Sequence, residues 1–185
     1  MLEGGELWNP IGATASTDIL KLPSRELKRI SINELFMLQL ATDLGLPVVD
    51  ARLWPVGADN ALLVTRFDRA ASKRIHQEDF CQATGRSPKQ KYQEEGGPSF
   101  AEIVKVIREE SAEPAVDVDI VLSWLAFNVI CGNADGHAKN LALVRTKTVR
   151  LAPLYDLVCT RAWSDFSSGT RCRTCARDAP QAGRC

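Results

Sequence analysis

The chain has no net charge: 23 Lys and Arg balance 23 Asp and Glu over 185 residues, and the isoelectric point lies near 6.7. Without a field of one sign, nothing global draws it to nucleic acid or to an anionic membrane surface. No apolar run approaches the ~20 residues that cross a bilayer, so no membrane span is expected. Met1 is followed by Leu2-Glu3-Gly4-Gly5 and not by a basic and then apolar leader, which makes the cytoplasm the expected location. Internal repeats and low-complexity tracts are absent, which excludes solenoids and low-complexity disorder. Six cysteines are present, yet nothing marks an oxidising compartment. Cys81 and Cys131 lie in apolar stretches as small buried hydrophobes, and disulfides are not expected.

What is there is enough for a core. Hydrophobic residues make up 45% of the chain, and a fold of this size hides roughly 70% of its unfolded surface. Thr17 to Leu22 alternates as a strand and stops at Pro23-Ser24. Ser31-Ile32-Asn33-Glu34 fits a capping box that opens a helix ending near Gly45 and Pro47. Val48 to Val56 and Ala61 to Phe67 read as a hairpin around Gly57-Ala58-Asp59-Asn60. A charged, glycine-containing loop follows from Asp68 to Pro98, with a short helix near Gln77 to Thr84. Ser99 and Glu102 cap a helix with an apolar stripe of Phe100, Ile103, Val104 and Ile107. Asp117 to Cys131 leaves almost no polar face, so its helix is expected to be buried on all sides. Leu141 to Arg145 and Thr148 to Leu151 form a second hairpin. This order predicts an α+β fold of two lobes, the first rich in sheet and the second helical.

The chemistry concentrates in Gly132-Asn133-Ala134-Asp135-Gly136-His137-Ala138-Lys139-Asn140, a polar loop set inside the most apolar part of the chain. Asp135 and Asn140 have the D-x-x-x-x-N spacing of a phosphoryl-transfer loop, where the carboxylate takes up a hydroxyl proton and the amide oxygen meets magnesium. That spacing is also common in ordinary loops. Leu151-Ala152-Pro153-Leu154-Tyr155-Asp156 leaves the second hairpin with a further carboxylate, which either meets the same cation or caps a turn. Lys21 is the candidate cation for inner phosphates, and Glu34 is either its partner or the second half of the Ser31 cap.

These motifs resemble the HipA family of bacterial toxin kinases. The matching text is Thr17 to Pro23, Asn33-Glu34, Leu44 to Leu46, Val64 to Arg69 and Gln77 to Gln82. Lys91-Tyr92, Gly96 to Pro98, Asp135 to Asn140 and Pro153 to Asp156 complete it, in family order from about Gly5 to Asp156. The resemblance implies a bilobal protein-kinase-like fold that binds ATP and magnesium. Asp135 would be the catalytic carboxylate, Asn140 and Asp156 the metal ligands, and Lys21 the phosphate contact. Thr65, Arg66 and Phe67 would border adenine through backbone groups and the Phe67 ring. His137, Ala138, Lys139 and Tyr155 would line the nucleotide site. It also implies a protein substrate of the translation machinery and a DNA-binding antitoxin partner, with nucleic acid met only through that antitoxin.

The sequence departs from the family in places. Thr65 stands at an often acidic position, and Gly4-Gly5 and Gly12 lack the ordered run of N–H donors of a phosphate-cradling loop. The expected division is a partial first lobe over 1–70, a partial second lobe over 71–158, and a disordered or out-of-frame tail over 159–185. An incomplete pair of lobes allows a second reading, a non-catalytic remnant that at most binds nucleotide or antitoxin. A third is a zinc module built on Cys172, Cys175 and His137, though a lone C-x-x-C is a weak metal signature.

Overall fold

Strand β5 (Asp59–Thr65) is the centre of the first sheet, and its Ala61 to Val64 are all buried. It pairs antiparallel with β3 (Asp18–Lys21) on one edge and β4 (Ala51–Val56) on the other. The computed structural model describes residues 2–163, apart from residues 4, 5, 9, 13, 71 and 72. Ahead of β3, β1 (Leu2–Glu3) and β2 (Glu6–Leu7) form a two-strand ribbon. The β4–β5 hairpin turns at Gly57, whose φ of 60° suits glycine. The first strand of this expected hairpin starts at Ala51, not Val48. Val48 instead makes an isolated parallel bridge to Leu154, and the Val49 N–H donates to the Leu154 carbonyl at 3.0 Å. Leu154 N–H returns to the Pro47 carbonyl at 2.8 Å. This backbone clip ties the end of the second hairpin to the first sheet.

Helix α1 (Ile30–Asp43) packs on β4 and β5 through Met37, Leu38 and Ala41. Its expected capping box does not form. The helix starts two residues early with Arg29 as its left-handed N-cap, which puts Ser31 inside the first turn with a buried hydroxyl that has no partner among the described residues. Glu34 is thereby free of the cap. Residues 69–74 form a small ribbon of β6 (Arg69–Ala70) and β7 (Lys73–Arg74). The loop expected from Asp68 to Pro98 then contains a strand, β8 (His76–Asp79), followed by the short α2 (Phe80–Ala83) capped by Asp79. No apolar alternation announces β8. Pairing with β9 (Ala142–Arg145) creates it, aided by the Glu78–Arg145 ion pair at 2.6 Å.

The Ser99–Glu102 box does form, and it opens α3 (Phe100–Glu110) with Ile103 and Ile107 turned into the core. Helix α4 (Pro114–Cys131) has proline in its first turn and the left-handed Gly132 as C-cap. By length and composition it is apolar enough to cross a membrane. Here it serves as a core helix on one side only, through Val121, Trp124 and Phe127. The expectation of burial all round fails: Leu122, Val129 and Ile130 are exposed, Ile130 by 83%. A largely apolar helix is able to bury every face, but among the described residues nothing covers Leu122, Val129 and Ile130. Strand β10 (Val149–Leu151) completes a second sheet of order β10-β9-β8. The chain continues past the boundary drawn at 158, with a 3-10 turn over Thr160–Ala162 and a buried Thr160.

Asp117 pins α4 to this sheet. Its carboxylate is 1% exposed and accepts from Arg150 Nη2 at 3.0 Å, Ser111 Oγ at 2.5 Å and the Leu151 N–H at 3.0 Å. Burial pushes this carboxyl upward, but Arg150, the Ser111 hydroxyl and the Leu151 N–H outweigh it and hold it below 3.8. Asp117→Ala leaves those donors unanswered and is expected to cost about 2–4 kcal/mol in denaturant titrations. A depressed carboxyl adds stability above its ordinary value and loses it as the pH falls through the folded one. Unfolding followed below pH 3.8 should therefore be less steeply acid-sensitive in Asp117→Asn than in the parent chain.

Candidate functional site

The site starts at the end of β3. Alternation along a strand puts Lys21 and Ile19 on the face opposite Leu20, as expected. Lys21 and Ile19 line a cavity with Val49, Val64, Phe67 and Tyr155, which holds about 160 Å³. Leu20 faces a separate groove on the other side of the sheet. Lys21 Nζ lies 2.6 Å from Glu34 Oε1 and 2.8 Å from Asp156 Oδ1. The ambiguity over Glu34 is thus resolved in favour of the lysine.

The two partners respond differently to burial. Burial pulls the Lys21 ammonium down, yet Glu34 and Asp156 together raise it above 10.5. For Glu34 burial dominates, and its carboxyl is raised above 4.5 even with Lys21 beside it. The asymmetry follows exposure, since 35% of the lysine side chain meets solvent against 5% of the glutamate. Asp156 itself has φ of 59°, a left-handed backbone that a non-glycine residue adopts at some cost.

Asn140 completes the link to the polar loop. Its Nδ2 donates to Asp156 Oδ2 at 2.8 Å, while its Oδ1 accepts the His137 N–H at 2.9 Å. The His137 ring is buried against the edge of Tyr92, 5.2 Å between centroids, and its Nδ1 has no partner among the described residues. Burial and the nearby Lys91 lower the imidazole below 6.5, although Asp135 and Asp156 both lie close enough to oppose them. Asp135 is half exposed; the Tyr92 hydroxyl donates to its Oδ1, and Lys91 Nζ stands 3.9 Å from the same atom.

The other expected residues divide. Thr65, Arg66 and Phe67 line the cavity, with Phe67 stacked on Tyr155 at 5.6 Å. The backbone N–H groups of Thr65 and Arg66 are already committed to Asp50 and Thr17, both at 2.9 Å, so neither is available to a base. Lys139 turns away from the Lys21 pair and bonds Asp79 at 2.5 Å, while its carbonyl accepts the Tyr155 hydroxyl at 2.7 Å. Ala138 is buried, and its N–H donates to the Lys91 carbonyl at 3.2 Å. Sequence reasoning assigned no role to Asp79, Lys91, Tyr92 or Gln77, although all four lie in the motifs that carry the resemblance.

Among the described residues no group of three or more His, Cys, Asp or Glu is placed to hold a metal. Asp156 beside Asn140 fits an ion that arrives with phosphate oxygens and needs one or two protein ligands, as magnesium does. The Asn140 oxygen reaches such an ion only after its amide turns from the His137 N–H. Cys172 and Cys175 of the zinc reading lie outside the described residues.

With this geometry in view, the HipA-like C-terminal domain family matches residues 5–180. The chain belongs to that family. Y4mE of Sinorhizobium fredii, whose name assigns it provisionally to the kinases, is 40% identical over 173 residues, 90% of this chain and 41% of that protein. The serine/threonine-protein kinase toxin HipA of Shewanella oneidensis is 33% identical over 174 residues, 84% of this chain and 39% of the toxin. The solved complex of Shewanella HipA with HipB and operator DNA matches with a TM-score of 0.75 and 30% identity, over 82% of this chain and 39% of that one. The Helicobacter pylori proinflammatory kinase CtkA, at 16% identity and a TM-score of 0.59, shares the fold over 74% of this chain. The kinase-like α+β class expected from the sequence is therefore the observed one. The chain spans about two fifths of the length of the HipA-family relatives it matches.

Replacing Lys21 by Met would leave the Glu34 and Asp156 carboxylates without their shared cation. The expected loss is about 1–2 kcal/mol at neutral pH, modest because a third of the lysine meets solvent. Because burial already raises Glu34, a proton replaces the missing charge as the pH falls. Melting temperatures of the two proteins should converge as the pH falls from neutral toward 4.5; parallel pH profiles would contradict the pairing.

Proposed function

We propose that this chain carries the phosphoryl-transfer centre of an ATP-dependent serine/threonine protein kinase of the HipA toxin type. The observation that carries the reading is Lys21 held between Glu34 and Asp156 at the mouth of an apolar cavity, with Asn140 joining Asp156 to the Asp135 loop. Residues 1–70 then act as the nucleotide-covering part and 71–158 as the part that presents the catalytic loop.

In this reading Ile19, Val49, Val64, Phe67 and Tyr155 take the flat base by apolar burial and stacking. Lys21 exchanges its contact with Asp156 for phosphate oxygens while Glu34 keeps its ammonium in place. Asp156 and Asn140 hold magnesium, which neutralises charge on the phosphates when bound. Asp135 orients the substrate hydroxyl and accepts its proton, for which the Tyr92 hydroxyl has to give way at Oδ1. His137 keeps its neutral ring beneath the loop, adding no charge beside the carboxylates.

The proposed partners are an antitoxin of a toxin–antitoxin pair and a protein substrate from the translation machinery, both met in the cytoplasm. The structure of a relative bound to HipB and operator DNA supports the first. A second reading is a nucleotide-binding remnant without turnover. It is favoured by the same two closures, Lys21 on Asp156 and Tyr92 on Asp135.

Asp135→Asn decides between them. Transfer of labelled phosphate to a serine-containing protein should fall about 10²- to 10⁴-fold, with ATP-dependent thermal stabilisation retained. Equal transfer by both proteins would remove Asp135 from the mechanism. Stabilisation by ATP with no transfer in either would establish the remnant.

A further inference from the structure

Helix α4 carries an amide in its buried face. Asn128 is 1% exposed and lies one turn from Trp124, where stability alone would favour an aliphatic side chain. Its Nδ2 donates to the Trp124 carbonyl at 2.7 Å, which leaves Oδ1 directed at the loop beyond the helix. There it accepts Asn133 Nδ2 at 2.6 Å, while the Asn133 N–H donates to the Asn128 carbonyl at 2.8 Å. Asn133 Oδ1 in turn accepts the N–H of Asp135 at 3.0 Å. The sense of this relay is unique. A carbonyl stands at one end and an N–H at the other, so turning either amide would place like groups together. The loop also lies directly on the helix: a Cβ on Gly136 would sit 3.7 Å from the Asn128 amide and 3.8 Å from the Trp124 ring.

We propose that Asn128 is a positioning residue for Asp135, acting through Asn133 to transmit the rigid placement of α4 to the backbone of the catalytic loop. The inference rests on the kinase reading for its effect on turnover, but not for its effect on the loop. An ordinary helix end needs its last carbonyls satisfied, and Gly132 N–H on Val129 and Asn133 N–H on Asn128 already do that. The side-chain relay adds nothing to the helix end and terminates on the residue that bears the proposed base. A displacement of the carboxylate by a fraction of an ångström is enough to weaken proton transfer, whereas nucleotide binding at Lys21 and Phe67 lies outside the relay.

The experiment is Asn128→Ala in the full chain, read in two ways. Hydrogen exchange of the Asp135 amide should accelerate by about tenfold or more, with amides of β5 unchanged. Steady-state phosphorylation should show kcat lower by about 10- to 100-fold with KM for ATP held within about threefold. In an Asp135→Asn background the same substitution should change residual turnover by less than about threefold, since a carboxylate already absent has nothing to lose by misplacement. A general loosening of the fold would lower turnover in both backgrounds. Unchanged exchange at Asp135 in a folded variant overturns the proposal, and so does a loss that appears equally in KM. If Asn128→Ala does not fold, Asn133→Ala, which removes the relay from the loop side, carries the same expectations. Faster exchange at Asp135 in Asn128→Ala, with no phosphate transfer even by the parent chain, would overturn the kinase reading and leave the relay in place.

Discussion

One cation organises the cleft. Lys21 joins a strand of the first sheet to α1 and to a segment 135 residues further along, and each of its carboxylate partners arrives by a different route. Glu34 is delivered by the start of the second turn of α1. Asp156 is delivered by the Leu154 clip, which fastens the exit of the second hairpin to the Pro47–Val49 linker. Were α1 to misplace Glu34, a buried carboxylate would face an apolar cavity without its cation; were the clip to misplace Asp156, Lys21 would keep Glu34 and lose a half-exposed partner. The pair therefore reports on whether the two sheets are correctly docked.

The second constraint is the fixing of the polar loop from below and behind. Gly132 to Asn140 has little apolar side chain of its own, so its shape comes from hydrogen bonds to rigid neighbours. Thr160 Oγ1 accepts the Ala134 N–H at 2.8 Å and donates to the Gly132 carbonyl at 2.9 Å. Asn33 brackets the same return segment through the N–H and carbonyl of Cys159. Loop, return segment and α1 are consequently one hydrogen-bonded unit, built from side chains whose value is geometric more than energetic.

Much of this was legible in the sequence, for definite reasons. Glycine, proline and capping residues mark boundaries locally, so the Ser99–Glu102 cap, the Gly57 turn and the Gly132 stop were read where they occur. The polar loop and Pro153 to Asp156 stood out because they interrupt apolar text. What local pattern does not encode is which of two satisfactory partners a side chain takes. Ser31 and Glu34 make a plausible cap on paper, but a lysine across the cleft offers the glutamate a charge, and the helix begins two residues early. Strand β8 escaped notice because His76 to Asp79 are all polar and owe their conformation to β9. The faces of α4 were misread because hydrophobicity states what a surface tolerates, not what covers it. Asn128 sat unremarked in that same apolar run, where one amide hardly alters the pattern.

The left-handed backbone of Asp156 bears on how this centre can be dissected. Asparagine and aspartate tolerate that region far better than alanine or a β-branched residue, because a short polar side chain finds local hydrogen bonds there. An alanine scan would therefore confound two injuries at this position, the vanished carboxylate and a main chain pressed to relax toward negative φ, with the Leu154 clip two residues away under the same pull. Asparagine keeps the torsion and removes only the charge, and glycine keeps the torsion and removes the side chain. Comparing those two substitutions separates chemistry from conformation at the point where the two sheets meet.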